Sequence, residues 1–318
     1  MIHAFFVTGV IIMTKVVHYL KALVMSNHQL HRKDSPINSN KLRGQLEESA
    51  WVYLSPIMFY RHKKHRERAS HESRNCYLCA SKNCIHIMSK YNIIGDIHGR
   101  DSWRRLVDEN CINVFVGDYF DPYEDIHFMD LQYNFMEIIE FKKKHPDNVV
   151  LLYGNHDFEY LPGVFEKSNR YDGLNAQTIS WLLMKTIDLF EGVAYAIGED
   201  YLVTHAGVTS DWKNTYLPHV ADIKPSSVAA AINDLWRKDK TPFSFGANCY
   251  GNNFCGEDPH HSPIWVRPES LCLHNLYKGT SVKQIVGHTK VKEIAEVAGV
   301  VLVDCLDTVE RSYKVEWP

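Results

Sequence analysis

Six side chains able to ligate a metal follow five apolar runs: Asp96 and His98 after Tyr91–Ile94, Asp118 after Ile112–Val116, Asn155 after Val149–Tyr153, His205 after Tyr201–Thr204, and His288 after Val282–Val286. The turns that carry them read Gly95-Asp96-Ile97-His98-Gly99, Gly117-Asp118-Tyr119-Phe120-Asp121, Gly154-Asn155-His156-Asp157, His205-Ala206-Gly207 and Gly287-His288-Thr289. Two divalent cations about 3.5 to 4 Å apart can hold a hydroxide and clamp a phosphate for in-line displacement. Such a pair needs a carboxylate that can bridge the ions. It also needs neutral imidazole and amide donors that fill the other positions without piling up negative charge. These six residues have that composition, and the glycines suit turns whose backbone passes close to a metal or phosphate.

The elements that must position them read as strands alternating with helices. Each apolar run is short enough for a buried strand, and a side chain just past its carboxyl end projects from the sheet edge, where α/β folds place their ligands. Leu131, Phe135, Ile138 and Ile139 make one amphipathic helical face; Ile179, Leu182, Leu183, Ile187 and Phe190 make a second. Val228, Ile232, Leu235 and Trp236 make a third, opened by Pro225 in a first-turn position. Ala194–Ile197 turning through Gly198-Glu199-Asp200 into Tyr201–Thr204 predicts a hairpin in a second sheet. The alternation predicts an α/β fold. Residues 241–263, rich in Gly, Asn, Pro and His, read as a long surface loop and a candidate wall of a substrate site.

From about Tyr91 to Asp307 the turns and their order resemble the calcineurin-like metallophosphoesterase superfamily, in its branch of phosphoprotein phosphatases and symmetrical dinucleoside tetraphosphatases of bacterial or phage type. The resemblance implies a two-sheet αββα sandwich and two divalent metals, Mn, Fe or Zn. By the same likeness Asp96, His98 and Asp118 would hold the first metal, and Asp118 would bridge to a second held by Asn155, His205 and His288. His156 would protonate the leaving group, with Asp121 orienting it; a carboxylate behind an imidazole fixes its tautomer and supports its charged form. Trp265-Val266-Arg267-Pro268 resembles the segment whose arginine grips phosphate, and Arg100 is a second candidate for that task.

Departures from the family pattern bear on the substrate. Protein phosphatases of the family usually continue the second motif as Asp-Arg-Gly, whereas this chain reads Asp121-Pro122-Tyr123. Gly-Asn-His-Asp and His-Ala-Gly stand nearer the prokaryotic and tetraphosphatase members, while Asp121 favours the phosphatases. The expectation is a phosphomonoesterase resembling serine/threonine phosphatases, using metal-bound hydroxide and acting on a phosphoprotein or small phosphoester. The alternatives are a symmetrical tetraphosphatase and a non-catalytic metal-binding module.

Charge divides the chain. Residues 1–90 carry 14 Lys+Arg against 5 Asp+Glu, and the remainder carries 21 against 33. With Met88 directly before the first strand, residues 1–87 read as a basic extension, disordered or foreign to the native protein, and 88–318 as the catalytic domain. Ala4–Met13 is too short to span a bilayer, so no membrane association is expected. The basic run from Arg61 to Arg68 reads as a solvated charge run rather than a nucleic-acid site. Cys76, Cys79, Cys84 and His86 have zinc-ligand chemistry at a spacing that matches no common module. Eight scattered cysteines suit a reducing, cytoplasmic setting.

Overall fold

The computed structural model describes residues 89–246 and 257–318. The basic extension, the Cys76, Cys79, Cys84 and His86 group, and Cys249 and Cys255 lie outside the described residues. Among the described residues nine strands form two sheets: β1 (Ser89–Ile94), β2 (Ile112–Phe115), β3 (Val149–Leu151) and β9 (Tyr313–Trp317) in the order β3-β2-β1-β9, and β4 (Ala194–Ile197), β5 (Tyr201–Thr204), β6 (Lys283–Val286), β7 (Ala295–Val297) and β8 (Val300–Leu302) in the order β4-β5-β6-β8-β7. In the first sheet β1, β2 and β3 run parallel and β9 pairs antiparallel with β1. In the second, β5, β6 and β8 run parallel, flanked by antiparallel β4 and β7. Six parallel strands therefore end at the carboxyl edges of two sheets, and the site grows from those edges.

Period-2 alternation decides which side chains lie between the sheets. Tyr91 and Ile93 of β1, Val114 of β2, Val203 of β5, Ile285 of β6 and Val301 of β8 pack together as the inter-sheet core. Their neighbours Ile94, Phe115 and Leu202 face outward into a second cluster formed with the helices. That cluster takes the buried stripe of α2 (Phe128–Lys144), that of α4 (Ala176–Thr186) and that of α6 (Pro225–Lys238), after the single-turn helices α1 (Trp103–Leu106) and α3 (Asn155–Phe158) and the short α5 (Ser210–Tyr216). The last helix, α7 (Pro268–His274), places Leu271 against Val286, Val300 and Leu302 on the outer face of the second sheet. The two sheets and their covering helices form the αββα sandwich that the resemblance implied.

Pro225 occupies the first turn of α6, where its missing N–H costs nothing. The second helical stripe ends sooner than its apolar periodicity suggested. The Thr186 hydroxyl donates back to the Leu182 carbonyl, the chain tightens into a 3-10 turn, and Ile187 is left 42% exposed. Among the described residues no helix is long and apolar enough to cross a membrane.

Ile285 is fully buried between the sheets on the strand that leads to His288. Ile285→Ala should cost about 2–5 kcal/mol of unfolding free energy, from lost burial and the cavity left behind. Urea denaturation checks it, and a loss below about 1 kcal/mol would show that β6 is not clamped by this core.

Candidate active site

The six candidate ligands converge, arriving from the carboxyl ends of β1, β2, β3, β5 and β6, and each lies buried or nearly so. Around Asp118 the distances are short: its Oδ2 lies 3.5 Å from His98 Nε2 and 3.4 Å from His205 Nε2. Asn155 Oδ1 lies 2.9 Å from His205 Nε2 and 2.8 Å from His288 Nδ1.

The remote nitrogen of each ring explains this arrangement. His98 Nδ1–H donates to the Phe120 carbonyl (2.9 Å), His205 Nδ1–H to the Val116 carbonyl (3.0 Å), and His288 Nε2–H to the Trp265 carbonyl (3.1 Å). A carbonyl only accepts, so each ring must spend its one proton there and turn a lone pair inward. His205 and His288 then aim lone pairs at the Asn155 carbonyl oxygen, and His98 aims one at a carboxylate. Acceptors facing acceptors at these distances fit a cation between them. The electrostatics agree. Burial pushes His98 down to about 3, and burial together with the Arg267 charge holds His288 well below its ordinary value, which favours the neutral ring a metal ligand needs.

The carboxylates carry the complementary strain. Burial, then the charges of Asp304 and Asp118, raise Asp96 well above the carboxylate range. Asp304, raised to about 6 by burial and by Asp118, was not foreseen from the sequence. It follows β8 as the other acids follow their strands, it is buried, and its Oδ1 has no hydrogen-bond partner. The signal was present in Val300–Val303 running into an acid, but no glycine or histidine marked the turn. Buried carboxylates beside neutral imidazoles are the donor set for hard or borderline divalent cations.

Backbone geometry is forced at the same place. Among the described non-glycine residues five have positive φ, and His98 (43°), Asp118 (54°), Asp121 (57°) and His288 (62°) are four of them. Two glycines make room. A Cβ on Gly154 would stand 2.1 Å from Asp118 Oδ1, and one on Gly287 would stand 2.0 Å from Asp96 Oδ1. Asp157 ties the loops: its carboxylate accepts from the amides of Asp118 (2.8 Å), Tyr119 (2.9 Å) and Gly154 (2.9 Å). The acid of Gly-Asn-His-Asp is thus a clamp between the ends of β2 and β3.

A second group of buried donors, Asp121, His156 and Glu159, adjoins the first. Here the ring bonds the acid directly: His156 Nδ1–H donates to Asp121 Oδ2 (2.8 Å), and the Tyr160 hydroxyl donates to Asp121 Oδ1. Burial alone would lower His156, but the charge of Asp118 and the bond to Asp121 outweigh it and push it up to about 9. The imidazole is therefore poised to carry a proton on Nε2. Tyr160, which completes this chain, lay beyond the motifs legible in the sequence.

Both groups open onto a cavity of about 870 Å³ whose walls include Asp118, Asn155, His156 and His288. Arg267 also lines it, with Nη1 donating to the His288 carbonyl and Thr289 Oγ1, both at 3.1 Å. Phe245, from the loop expected to form a wall, lines it too. Arg100 does not. Its guanidinium is taken by Glu124 (3.1 Å) and Asp307, a carboxylate far along the chain, and borders a separate surface cavity. His260 bonds Asp258, and His261 stacks on Phe245.

No curated protein sequence matches the chain. Among solved structures it is similar to a cold-active protein-tyrosine phosphatase of a psychrophile Shewanella species (18% identity, 69% of this chain and 71% of that one, TM-score 0.35). It is also similar to a protein serine/threonine phosphatase from Saccharomyces cerevisiae with similarity to human phosphatase PP5 (16% identity, 72% and 79%, TM-score 0.42). The family model for calcineurin-like phosphoesterases matches residues 89–292, the stretch that carries all six ligands and His156, and the chain belongs to that family.

Proposed function

We propose that this metal-dependent phosphoesterase hydrolyses phosphate monoesters, in the manner of a serine/threonine phosphatase. The observation that carries the reading is the chain Tyr160–Asp121–His156 at the wall of the cavity. An imidazolium held by a carboxylate is worth building where the departing group is a poor one, such as the alkoxide of serine or threonine. In this reading Asp96, His98 and Asp118 would hold one divalent ion, and Asp118, Asn155, His205 and His288 would hold the other. When bound, such ions supply Lewis acidity and lower the pKa of water. The protein does the rest. Arg267 fixes the phosphate, the cavity orients the ester oxygen toward His156 Nε2, and the proton on that nitrogen goes to the leaving oxygen. Asp121 stabilises the imidazolium before transfer, and Tyr160 holds Asp121. The three described cysteines, Cys111, Cys272 and Cys305, are free thiols, in keeping with a reducing, cytoplasmic setting.

Symmetrical cleavage of dinucleoside tetraphosphates is the second reading, favoured by the His205-Ala206-Gly207 turn and by Pro122 in place of arginine. Turnover of a phosphoserine peptide, a phosphotyrosine peptide and diadenosine tetraphosphate, compared side by side, decides between them. A phosphopeptide is expected to be the better substrate, and a strong preference for the tetraphosphate would overturn the monoesterase reading.

Metal and acid roles should separate under mutation. Asp118→Asn is expected to lose bound metal, seen by elemental analysis against about two ions per wild-type chain, together with nearly all turnover. His156→Asn is expected to keep its metal while losing roughly 100- to 10,000-fold in rate on alkyl phosphates and much less on activated aryl phosphates. Equal losses on both kinds of ester, metal retained, would remove His156 from the acid role.

A further inference from the structure

Tyr123 stands edge-on to the ligand His98, ring centroids 4.7 Å apart, and three cations from three segments gather on its ring. Lys290 Nζ lies 3.1 Å from the ring centroid, Arg170 Cζ 4.0 Å and Arg100 Cζ 6.0 Å. Two of the three are neutralised: Arg100 and Lys290 share the two oxygens of Asp307. Among the described residues Arg170 meets no carboxylate. Its side chain donates to the Pro122 carbonyl, lies against Tyr123, and lines the cavity that holds Asp118, Asn155, His156 and Arg267. A guanidinium left without a counter-charge at the rim of a site for anions is placed for an anion.

The segment bearing Arg170 is also fixed rather than merely nearby. Tyr171 stacks on Tyr160, ring centroids 4.7 Å apart, and the amide of Asp172 donates to the Tyr160 hydroxyl (2.8 Å). Lys167 bonds the carbonyls of Glu159 and Val164, and Ser168 Oγ donates to Glu159 Oε2 (3.0 Å). Tyr160 is the residue that holds Asp121 behind His156, so one phenol sets both the acid and the segment that presents the arginine.

We infer that Arg170 binds the phosphoryl oxygens of the substrate, forming with Arg267 a two-arginine clamp over the metal site. The inference deepens the monoesterase reading and rests on it. Its test measures phosphate binding directly, so that the two can fail separately. The metal-loaded full chain is titrated with inorganic phosphate by calorimetry, as wild type, Arg170→Ala, Arg170→Lys and Arg237→Ala, with metal content measured for each. Arg237, on α6 and paired with Asp234, controls for overall charge. Arg170→Ala is expected to weaken phosphate about 10-fold or more, the scale of a lost charged hydrogen bond. Arg170→Lys should fall between, keeping the charge but losing the fork. Arg237→Ala should bind as wild type. With an aryl phosphate, Arg170→Ala should raise KM more than it lowers kcat. Unchanged phosphate affinity in Arg170→Ala with metal intact overturns the assignment, as does an equal loss in Arg237→Ala or no phosphate binding by the wild type. If Arg170→Ala loses metal, Arg170→Lys decides. Weakened phosphate binding without monoester turnover by the wild type would keep the clamp and overturn the substrate reading.

Discussion

Buried negative charge is the constraint around which this molecule is organised. Asp96, Asp118 and Asp304 each lie within 2% of full burial, and the charge of Asp118 pushes on both Asp96 and Asp304. In a low-dielectric interior such repulsion is costly, and no lysine or arginine enters to relieve it at Asp118, whose neighbours are imidazoles. The imidazoles cannot all serve as cations either, because burial drives His98 and His288 to their neutral forms. A pair of divalent ions, as the family binds, would reconcile acids with neutral bases in one dry place. The fold then reads as the means of bringing those groups together despite their repulsion.

The means is topological. Parallel strands in two sheets end side by side, so donors distant in sequence become neighbours without any long excursion of the chain. Beyond the strand ends the backbone takes up the remaining misfit, with left-handed conformations at two ligands from the first sheet's loops, one from the second, and Asp121. Such conformations persist only when their surroundings over-determine them. Here Asp157 supplies part of that by gathering three amides, and the inter-sheet core behind the site supplies the rest. The energy of apolar packing is in this sense spent on holding polar groups where they would not go alone.

The same logic decides what a sequence reader could see. Ligands were legible because each sits in a short turn directly after an apolar strand, so both its chemistry and its position are local properties. Asp304 satisfies that rule too, but Val303-Asp304-Cys305 lacks the glycine or histidine that made the other turns conspicuous. Arg100 shows the opposite: its motif is local, but its guanidinium is directed by Asp307, far along the chain. Tyr160 and Arg170 belong to a segment without regular structure, where no periodicity announces which side chains return to the site. The pairing of β9 with β1 was equally hidden, since register between chain-distant strands follows from the assembled core rather than from either strand.

A hierarchy of tolerances follows from these placements. The ligand set is fixed by strand ends and by carbonyls that dictate each ring's tautomer, so its geometry is tied to the sandwich as a whole. His156 is one step freer, hung between Asp121 and the cavity. The substrate side is freest: Tyr123 is 43% exposed, and Arg170 and Lys290 reach it from loops. Tyr160 bridges the last two levels, because its hydroxyl donates to Asp121 while accepting from the amide of Asp172. A loop that shifted to admit a larger ester would pull on the hydroxyl that steadies the acid. With His156 in its proposed role, tolerance of new substrates and proton donation are coupled through one phenol, while the six candidate ligands, braced by the inter-sheet core, stay outside that exchange.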